Sequence, residues 1–237
     1  MPCGFSSQRE RKVGMSLQGR TALLAGATGL VGRSCLERLL EHPAYARVIV
    51  LVRRPTGINH DKLQEIRADF DALEGLSSLP AVDDVFITLG TTIKAAGSRP
   101  AFAKVDHDYV VSVARLGKRA GARRLSLVSS IGADRTSMNF YLRVKGEAER
   151  DISDLGYECV DILRPSMLLG DRTEHRAGEA FATPILRGVS GAMIGPLRVY
   201  RPIDARDVAA AMVASLVSDA TAGVRIRTFD DIRQLAS

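Results

Sequence analysis

Residues 21–40 read TALLAGATGLVGRSCLERLL, an apolar run followed by three glycines and then by a stretch with helical periodicity. The glycines stand at G-x-x-G-x-x-G spacing, and this order predicts a β-strand, a tight turn and an α-helix. Gly26 permits the turn, Gly29 lacks a Cβ that would block a phosphate, and Gly32 lets the helix lie against the strand. Because free N–H groups and the positive dipole end of the helix face the turn, the sequence predicts that it binds the pyrophosphate of a dinucleotide.

Strand-like apolar runs alternate with amphipathic stretches along the rest of the chain. We predict strands at residues 20–26, 48–52, 65–69, 84–89, 125–129, 158–163 and 224–228, and helices at about 32–41, 103–121, 140–155 and 204–217. This alternation predicts an α/β fold with a doubly wound, Rossmann-like parallel sheet and right-handed crossovers.

The chain is predicted to form a single domain, residues 17–237. Residues 1–16 are polar and basic, and we expect them to be a flexible N-terminal arm, or an extension upstream of an alternative start at Met15. From about residue 166 to 198 the periodicity loosens and glycine and proline recur, so this stretch is predicted to be a small substrate-side insert. The residues after 228 read as a polar tail.

Composition argues against several classes of function. Hydrophobic residues make up 46% of the 237 residues and charged residues 25%, as in ordinary soluble domains. The formal net charge is +6, but the basic residues are scattered, aromatics are only 5% and tryptophan is absent, so a nucleic-acid partner is not expected. No apolar run reaches the roughly 18–20 residues that cross a bilayer, so no membrane association is expected.

Cysteine and histidine usage predicts neither disulfides nor a metal site. Cys3, Cys35 and Cys159 are odd in number and lack metal-ligand spacing, so we expect reduced thiols. The four histidines form no H-x-x-x-H pair. Since the N-terminal residues also lack the apolar core of a secretory signal, the sequence predicts a cytoplasmic protein.

The end of the second predicted strand carries two arginines, Arg53 and Arg54. In folds that bind NAD, a carboxylate near this point accepts from the ribose 2′-hydroxyl, whereas a 2′-phosphate requires positive charge. Guanidinium groups can bind phosphate oxygens bidentately, and no carboxylate stands here. NADP(H) is therefore the predicted cofactor, with a solvated strand end as the alternative reading of the pair.

Three kinds of side chain are predicted to meet at the carboxyl edge of the sheet. Tyr141 and Lys145 are four residues apart on one predicted helix and therefore share a face. Ser129 and Ser130 end the preceding strand, and the carboxyl ends of such strands form the ligand crevice. Because neighbours in a strand point to opposite sides, only one serine can reach the crevice. We favour Ser129 slightly and retain both.

The glycine motif, the strand-end serine and the Y-x-x-x-K pair together resemble the short-chain dehydrogenase/reductase superfamily, in its atypical, NAD(P)-binding branch. The chain resembles in particular the Tat-interacting-protein group of that branch, through LGTT at 89–92, VDHDYV at 105–110, SSIGAD at 129–134, NFYLRVKGEAE at 139–149 and LRPSMLLGDR at 163–172. The similarity extends from about Leu17 to the helix that begins at Asp204.

This resemblance implies a hydride-transfer site. Tyr141 would exchange a proton with the substrate oxygen, and Lys145 would supply positive charge beside it and bond the nicotinamide ribose. A strand-end serine, Ser129 or Ser130, would hold the substrate oxygen, while the cofactor would carry the hydride.

The resemblance also implies further cofactor contacts, at the phosphates, the adenine ribose and the nicotinamide. Asp69 would either approach the adenine edge or cap the segment after its strand. The complete set of predicted cofactor-binding residues is Gly26, Thr28, Gly29, Leu30, Val31, Gly32, Arg53, Arg54, Asp69, Leu89, Gly90, Thr91, Tyr141, Lys145, Pro165, Leu168 and Arg172.

The favoured function is an NADPH-dependent oxidoreductase that acts on a small carbonyl compound or a nucleotide-linked substrate. The alternative is an NADPH-binding, redox-sensing regulatory protein with little or no turnover, in which cofactor binding orders residues 166–198 for a protein partner. A nucleotide-sugar epimerase or dehydratase is disfavoured, because such enzymes usually retain NAD and carry an acidic residue where Arg53 and Arg54 stand. A protein partner, and the choice between monomer and homodimer, stay open.

Overall fold

The computed structural model of the protein describes residues 19–76, 79–170 and 195–237. The strands in this part of the chain are β1 (Arg20–Ala25), β2 (Tyr45–Val52), β3 (Leu63–Arg67), β4 (Asp84–Ile87), β5 (Arg124–Val128), β6 (Cys159–Leu163), β7 (Leu168–Leu169), β8 (Ile203–Asp204) and β9 (Gly223–Arg227). The α-helices are α1 (Leu30–Glu41), α2 (Ile93–Ala96), α3 (Arg99–Ala103), α4 (Tyr109–Arg119), α5 (Phe140–Ser153), α6 (Ala205–Val217) and α7 (Phe229–Ala236). A π-helical turn, Lys104–Asp108, joins α3 to α4, and 3₁₀ turns occupy Leu73–Gly75 and Gly195–Tyr200.

Seven parallel strands form one sheet in the order β3-β2-β1-β4-β5-β6-β9. The chain winds outward from β1 to one side and from β4 to the other, so the strand order reverses between these two strands. Ligands of open α/β sheets bind at such a switch point, outside the carboxyl ends of the strands. The predicted doubly wound, Rossmann-like α/β fold is confirmed.

Helices cover both faces of the sheet and bury its apolar residues. On one face α1 and α6 pack over Val48 and Val50 of β2, and on the other α4 and α5 belong to the cluster that contains Ile49 and Leu51. Burial on both sides explains why β2 is a continuous apolar run rather than an alternating one. No helix in the described ranges combines the length and the apolar composition that crossing a membrane requires.

The structure differs from the sequence prediction at several elements. The stretch read as a polar tail contains helix α7, which begins in a capping box between Thr228 and Asp231 and buries Ile232 completely. The third strand runs two residues earlier than predicted, at Leu63–Arg67. Residues 171–194, most of the predicted insert, lie outside the described residues, as do the predicted arm at 1–16 and the candidate cofactor residue Arg172.

Candidate functional site

The turn after β1 accepts only glycine at two of its three glycine positions. Gly26 has a φ of +93°, and a Cβ there would lie 2.6 Å from Oγ1 of Thr88, the residue after β4. A Cβ on Gly32 would lie 2.0 Å from the carbonyl oxygen of Gly26. Thr88 donates from its backbone N–H to the carbonyl oxygen of Ala25 at 2.9 Å. These contacts hold the start of α1 against the switch point between β1 and β4.

Gly29, the middle glycine, is exposed and has a different environment. Its φ of −76° is open to other residues, and a Cβ there would have one neighbour, the carbonyl oxygen of Gly26 at 3.3 Å. The fold therefore needs glycine less at this position than at Gly26 or Gly32. The missing side chain leaves the backbone open on its outer side, which fits the close approach of a pyrophosphate.

The start of α1 offers backbone donors to an anion. Gly29 is the N-cap residue, it makes no side-chain cap, and the first turn of α1, which the structure describes in full, contains no acidic residue. The N–H groups of Leu30, Val31 and Gly32 are thus the helix-start donors that an anion can use. Thr28 is exposed beside them.

Arg53 and Arg54 follow the end of β2, and both are exposed. Within the part of the chain that the structure describes, neither has a hydrogen bond or ion pair. Glu65, a carboxylate on the neighbouring strand β3, is already hydrogen-bonded, because it accepts from the backbone N–H of Thr56 at 2.9 Å. The end of β2 therefore presents positive charge to the crevice side of the sheet.

Asp69 lies two residues after β3, where its carboxylate closes a turn. Its Oδ1 accepts from the N–H of Asp71 at 3.0 Å, and its carbonyl oxygen accepts from the N–H of Ala72 at 3.1 Å. Asp69 therefore closes an Asx turn and is not the N-cap residue of the 3₁₀ turn that follows, which is Ala72. Its contact with adenine stays a prediction.

A buried ion pair joins helix α5 to the π-helical turn, beside the loop after β4. Lys145 Nζ lies 2.7 Å from Oδ1 of Asp106, and both side chains are almost fully buried. Oδ2 of Asp106 accepts from the N–H of Thr91 at 2.8 Å. A Cβ on Gly90 would lie 3.6 Å from Lys145 Nζ, and Leu89 packs against the core on the α4 side. Lys145 is thus next to the loop that is predicted to contact the cofactor.

Tyr141 stands in the first turn of α5, one turn before Lys145 and on the same face. The side chain of Asn139 caps this helix by accepting from the N–H of Tyr141 at 3.0 Å. The ring of Tyr141 packs against that of Phe102 from α3, with 5.4 Å between the ring centroids, and Phe102 is fully buried. The tyrosine ring therefore rests on a side chain that the core holds in place.

The two strand-end serines lie in different environments. The hydroxyl of Ser129 donates to Oε1 of Glu149, which also accepts from Nε of Arg164 at 3.0 Å. Ser129 is buried with this pair, whereas Ser130 is half-buried and its hydroxyl donates to the carbonyl oxygen of Ile131 at 3.4 Å. The Ser129 hydroxyl is thus committed to Glu149. Which of the two serines contacts a substrate stays a prediction.

The chain after β6 closes over the start of α1. The carbonyl oxygen of Pro165 accepts from the N–H of Ile131 at 2.9 Å, which ties the ends of β5 and β6 together. Leu168 and Leu30 pack against the same core cluster, and a Cβ on Gly170 would lie 2.8 Å from Cδ1 of Leu30. Pro165 and Leu168 thus follow the carboxyl end of β6, and their contact with a cofactor stays a prediction.

Sequence reasoning assigned no role to Phe102, Asp106 or Glu149. The ring of Phe102 packs against Tyr141, Asp106 forms an ion pair with Lys145, and Glu149 accepts a hydrogen bond from the hydroxyl of Ser129. The available signal was that Asp106 and Glu149 lie inside the stretches VDHDYV and NFYLRVKGEAE that carry the family resemblance.

A model of a family described as NAD(P)H-binding matches residues 26–219, from the first glycine of the turn to the loop after α6. The chain belongs to this NAD(P)H-binding family. It is 34% identical to rat protein HTATIP2 over 170 residues, which cover 70% of each chain. It is 39% identical to the mitochondrial protein fmp52 of Aspergillus fumigatus over 197 residues, 80% of this chain and 84% of that one. The chain is thus an atypical short-chain dehydrogenase/reductase of the HTATIP2 group.

Solved structures share its fold at low sequence identity. MoeE5 in complex with UDP-glucose and NAD has a TM-score of 0.64 and 17% identity, over 91% of this chain and 80% of that one. The human epimerase family protein SDR39U1 with NADPH has a TM-score of 0.60 and 17% identity, over 88% and 74%. These neighbours show the fold. The family model supports a nicotinamide cofactor and a nucleotide-binding, oxidoreductase-like function.

The predicted cytoplasmic location is wrong by comparison with these relatives. The fmp52 proteins of Aspergillus fumigatus, Coccidioides immitis and Eremothecium gossypii are all named mitochondrial. The prediction depended on the lack of a secretory signal, but a serine-containing, basic N-terminal stretch is also typical of organelle transit peptides. That composition does not separate the two compartments.

Proposed function

We propose that the protein is an NADPH-dependent oxidoreductase that transfers hydride to a small carbonyl compound or a nucleotide-linked substrate. The observation that carries this proposal is the position of Lys145, a buried ammonium on α5 next to Gly90 in the loop after β4. Tyr141 precedes it by one helical turn. A phenolic side chain and a cation therefore share one face of α5, which is the arrangement that the proposed proton exchange requires.

The glycine turn fits the pyrophosphate of a nicotinamide cofactor. Gly29 leaves space that a Cβ would fill, and the N–H groups at the start of α1 provide donors. Arg53 and Arg54 supply the positive charge that a 2′-phosphate requires, which is why we propose NADPH over NADH. Leu30 and Leu168, which pack on one core cluster, would provide apolar contacts near the same turn.

In the proposed reduction, bound NADPH supplies the hydride, and the protein handles the proton. Tyr141 donates its phenolic proton to the substrate carbonyl oxygen as negative charge develops there. Lys145 would stabilise the resulting phenolate by its positive charge and would help to hold the nicotinamide ribose. The hydroxyl of Ser130 donates to the same substrate oxygen and keeps it in line with Tyr141.

Two measurements test the proposal. Calorimetric titration with NADPH and NADH should give tighter binding of NADPH. A panel of carbonyl substrates should then give NADPH oxidation that Tyr141→Phe abolishes, with the NADPH dissociation constant kept within about threefold because the phenyl ring retains the contact with Phe102. No affinity for any nicotinamide coenzyme would refute the proposal outright.

The regulatory alternative predicts tight NADPH binding without turnover on any substrate of the panel. It invokes an ordering of residues 166–198, and residues 171–194 of that segment lie outside the described residues. The same titration and substrate panel therefore decide between the two functions.

A further inference from the structure

Asp106 touches two parts of the candidate site at once. Its Oδ1 lies 2.7 Å from Nζ of Lys145, and its Oδ2 accepts from the N–H of Thr91 at 2.8 Å. Asp106 is 1% exposed and Lys145 is 7% exposed, so water does not screen the pair. One carboxylate thus connects the lysine of α5 to the loop after β4.

The π-helical turn between α3 and α4 puts Asp106 in this position. A π turn holds one residue more than an α turn and therefore redirects the side chains it carries. Asp108, two residues further along the same turn, is exposed and pairs with Nδ1 of His107 at 2.8 Å. The two carboxylates of one turn therefore face different environments, one buried in the site and one at the surface.

The ion pair offsets the free-energy cost of burying the Lys145 ammonium and fixes its position. An ammonium removed from water is costly unless a counter-charge accompanies it, and the long lysine stem can adopt many rotamers. Asp106 supplies the counter-charge from one fixed direction, and the bond from Thr91 fixes Asp106 in turn. The ammonium is thereby held beside Gly90, 3.6 Å from where a Cβ of that residue would lie.

We infer that Asp106 is a positioning residue, which sets the Lys145 ammonium against the loop after β4 and acts on NADPH only through that lysine. This inference rests on the proposed function, because it takes the loop after β4 to be part of the cofactor site. The charge of Asp106 therefore contributes to NADPH affinity only while Lys145 is present, whereas the bond from the N–H of Thr91 is a separate contact that an asparagine can also accept.

A double-mutant cycle on NADPH affinity, measured by calorimetry, tests the inference. Asp106→Asn removes the charge and retains an amide oxygen that can accept from Thr91, so we expect about tenfold weaker binding. Lys145→Met should weaken binding at least as much, and Lys145→Met/Asp106→Asn should bind no more weakly than Lys145→Met alone. Asp106→Glu, which restores a carboxylate, should recover most of the affinity.

Asp108→Asn is the matched control, because it makes the same chemical change in the same turn without touching Lys145. Its affinity should stay within about twofold of the unmodified protein. Equal losses for Asp106→Asn and Asp108→Asn would overturn the positioning role and leave the proposed cofactor intact. The role would also be overturned if Asp106→Asn cost the same factor when added to Lys145→Met as it does alone. Failure of the unmodified protein to bind NADPH would instead refute the proposed function.

Thermal unfolding of each variant shows first whether it folds. Asp106→Asn leaves a buried ammonium without a counter-charge and could fail to fold for that reason. In that case NADPH affinity is compared between the two variants that lack the ammonium. Lys145→Met and Lys145→Met/Asp106→Asn should then bind NADPH equally, and a further tenfold loss in the double variant would contradict the inference.

Discussion

A Cβ on Gly32 would lie 2.0 Å from the carbonyl oxygen of Gly26, far inside the contact distance of two non-bonded atoms. The oxygen belongs to the backbone and the Cβ is attached directly to it, so neither can rotate away. Helix α1 would have to move away from β1 to make room for the methyl group. We therefore expect Gly32→Ala to reduce the free energy of unfolding by at least about 2 kcal/mol. Urea unfolding of the variant and the unmodified protein measures this difference.

Gly29→Ala should have little effect on stability and a large effect on NADPH binding. The Cβ has a single neighbour at 3.3 Å and the backbone already lies at negative φ, so the fold should lose at most about 1 kcal/mol. The methyl group would stand where the pyrophosphate approaches, so NADPH binding should weaken by tenfold or more, about 1.4 kcal/mol. A stable Gly29→Ala variant with normal affinity would show that the turn does not hold the phosphates.

The serines give a second pair of contrasting variants. Ser129→Ala removes a hydrogen bond to the buried carboxylate of Glu149 and should cost about 1–3 kcal/mol of stability, with kcat little changed. Ser130→Ala should leave stability unchanged and lower kcat about 100-fold, because the substrate oxygen loses a donor. Unfolding curves and steady-state kinetics of the two variants separate the roles, and the reverse pattern would restore Ser129 as the catalytic serine.

Arg53→Ala and Arg54→Ala test the coenzyme preference. If either guanidinium binds the 2′-phosphate, its loss should weaken NADPH binding by about tenfold and leave NADH binding unchanged. Arg47→Ala is the control, since Arg47 is exposed on the same strand at the opposite end of the sheet. A uniform loss in all three variants would indicate a general effect of net charge and would argue against a specific phosphate site.

The parts of the fold that depend on local pattern could be predicted from the sequence. The strand, glycine turn and helix at residues 21–40 follow from neighbouring residues alone, and the parallel order follows from the alternation of strands and helices. The choice between Ser129 and Ser130 could not be predicted, because it depends on the partner that α5 brings to one of them. The role of Asp106 could not be predicted either, because a π turn changes the helical register by one residue. Regular helical spacing therefore does not show that Asp106 lies on the buried face.

Alkaline pH should destabilise the fold through a buried thiol. Burial raises the pKa of Cys35 from 9.0 to about 12, and the side chain is fully buried between α1 and the sheet. The folded state therefore binds this proton more tightly than the unfolded state. The contribution of Cys35 to the free energy of unfolding is fully present below about pH 9 and is lost as the pH rises towards 12. The loss between about pH 8 and pH 10.5 should be about 2 kcal/mol from this group.

Urea unfolding at a series of pH values checks this expectation, with Cys35→Ala as the test variant. Cys35→Ala should lower stability at pH 8 by leaving a small cavity, and it should flatten the fall in stability between pH 8 and pH 10.5. The flattening should be partial, because burial also raises the pKa of Cys159, to about 11, with the same sign of effect. Other groups that titrate in this range are common to both proteins and cancel in the comparison. An unchanged slope in the variant would mean that Cys35 ionises as easily in the folded chain as in the unfolded one.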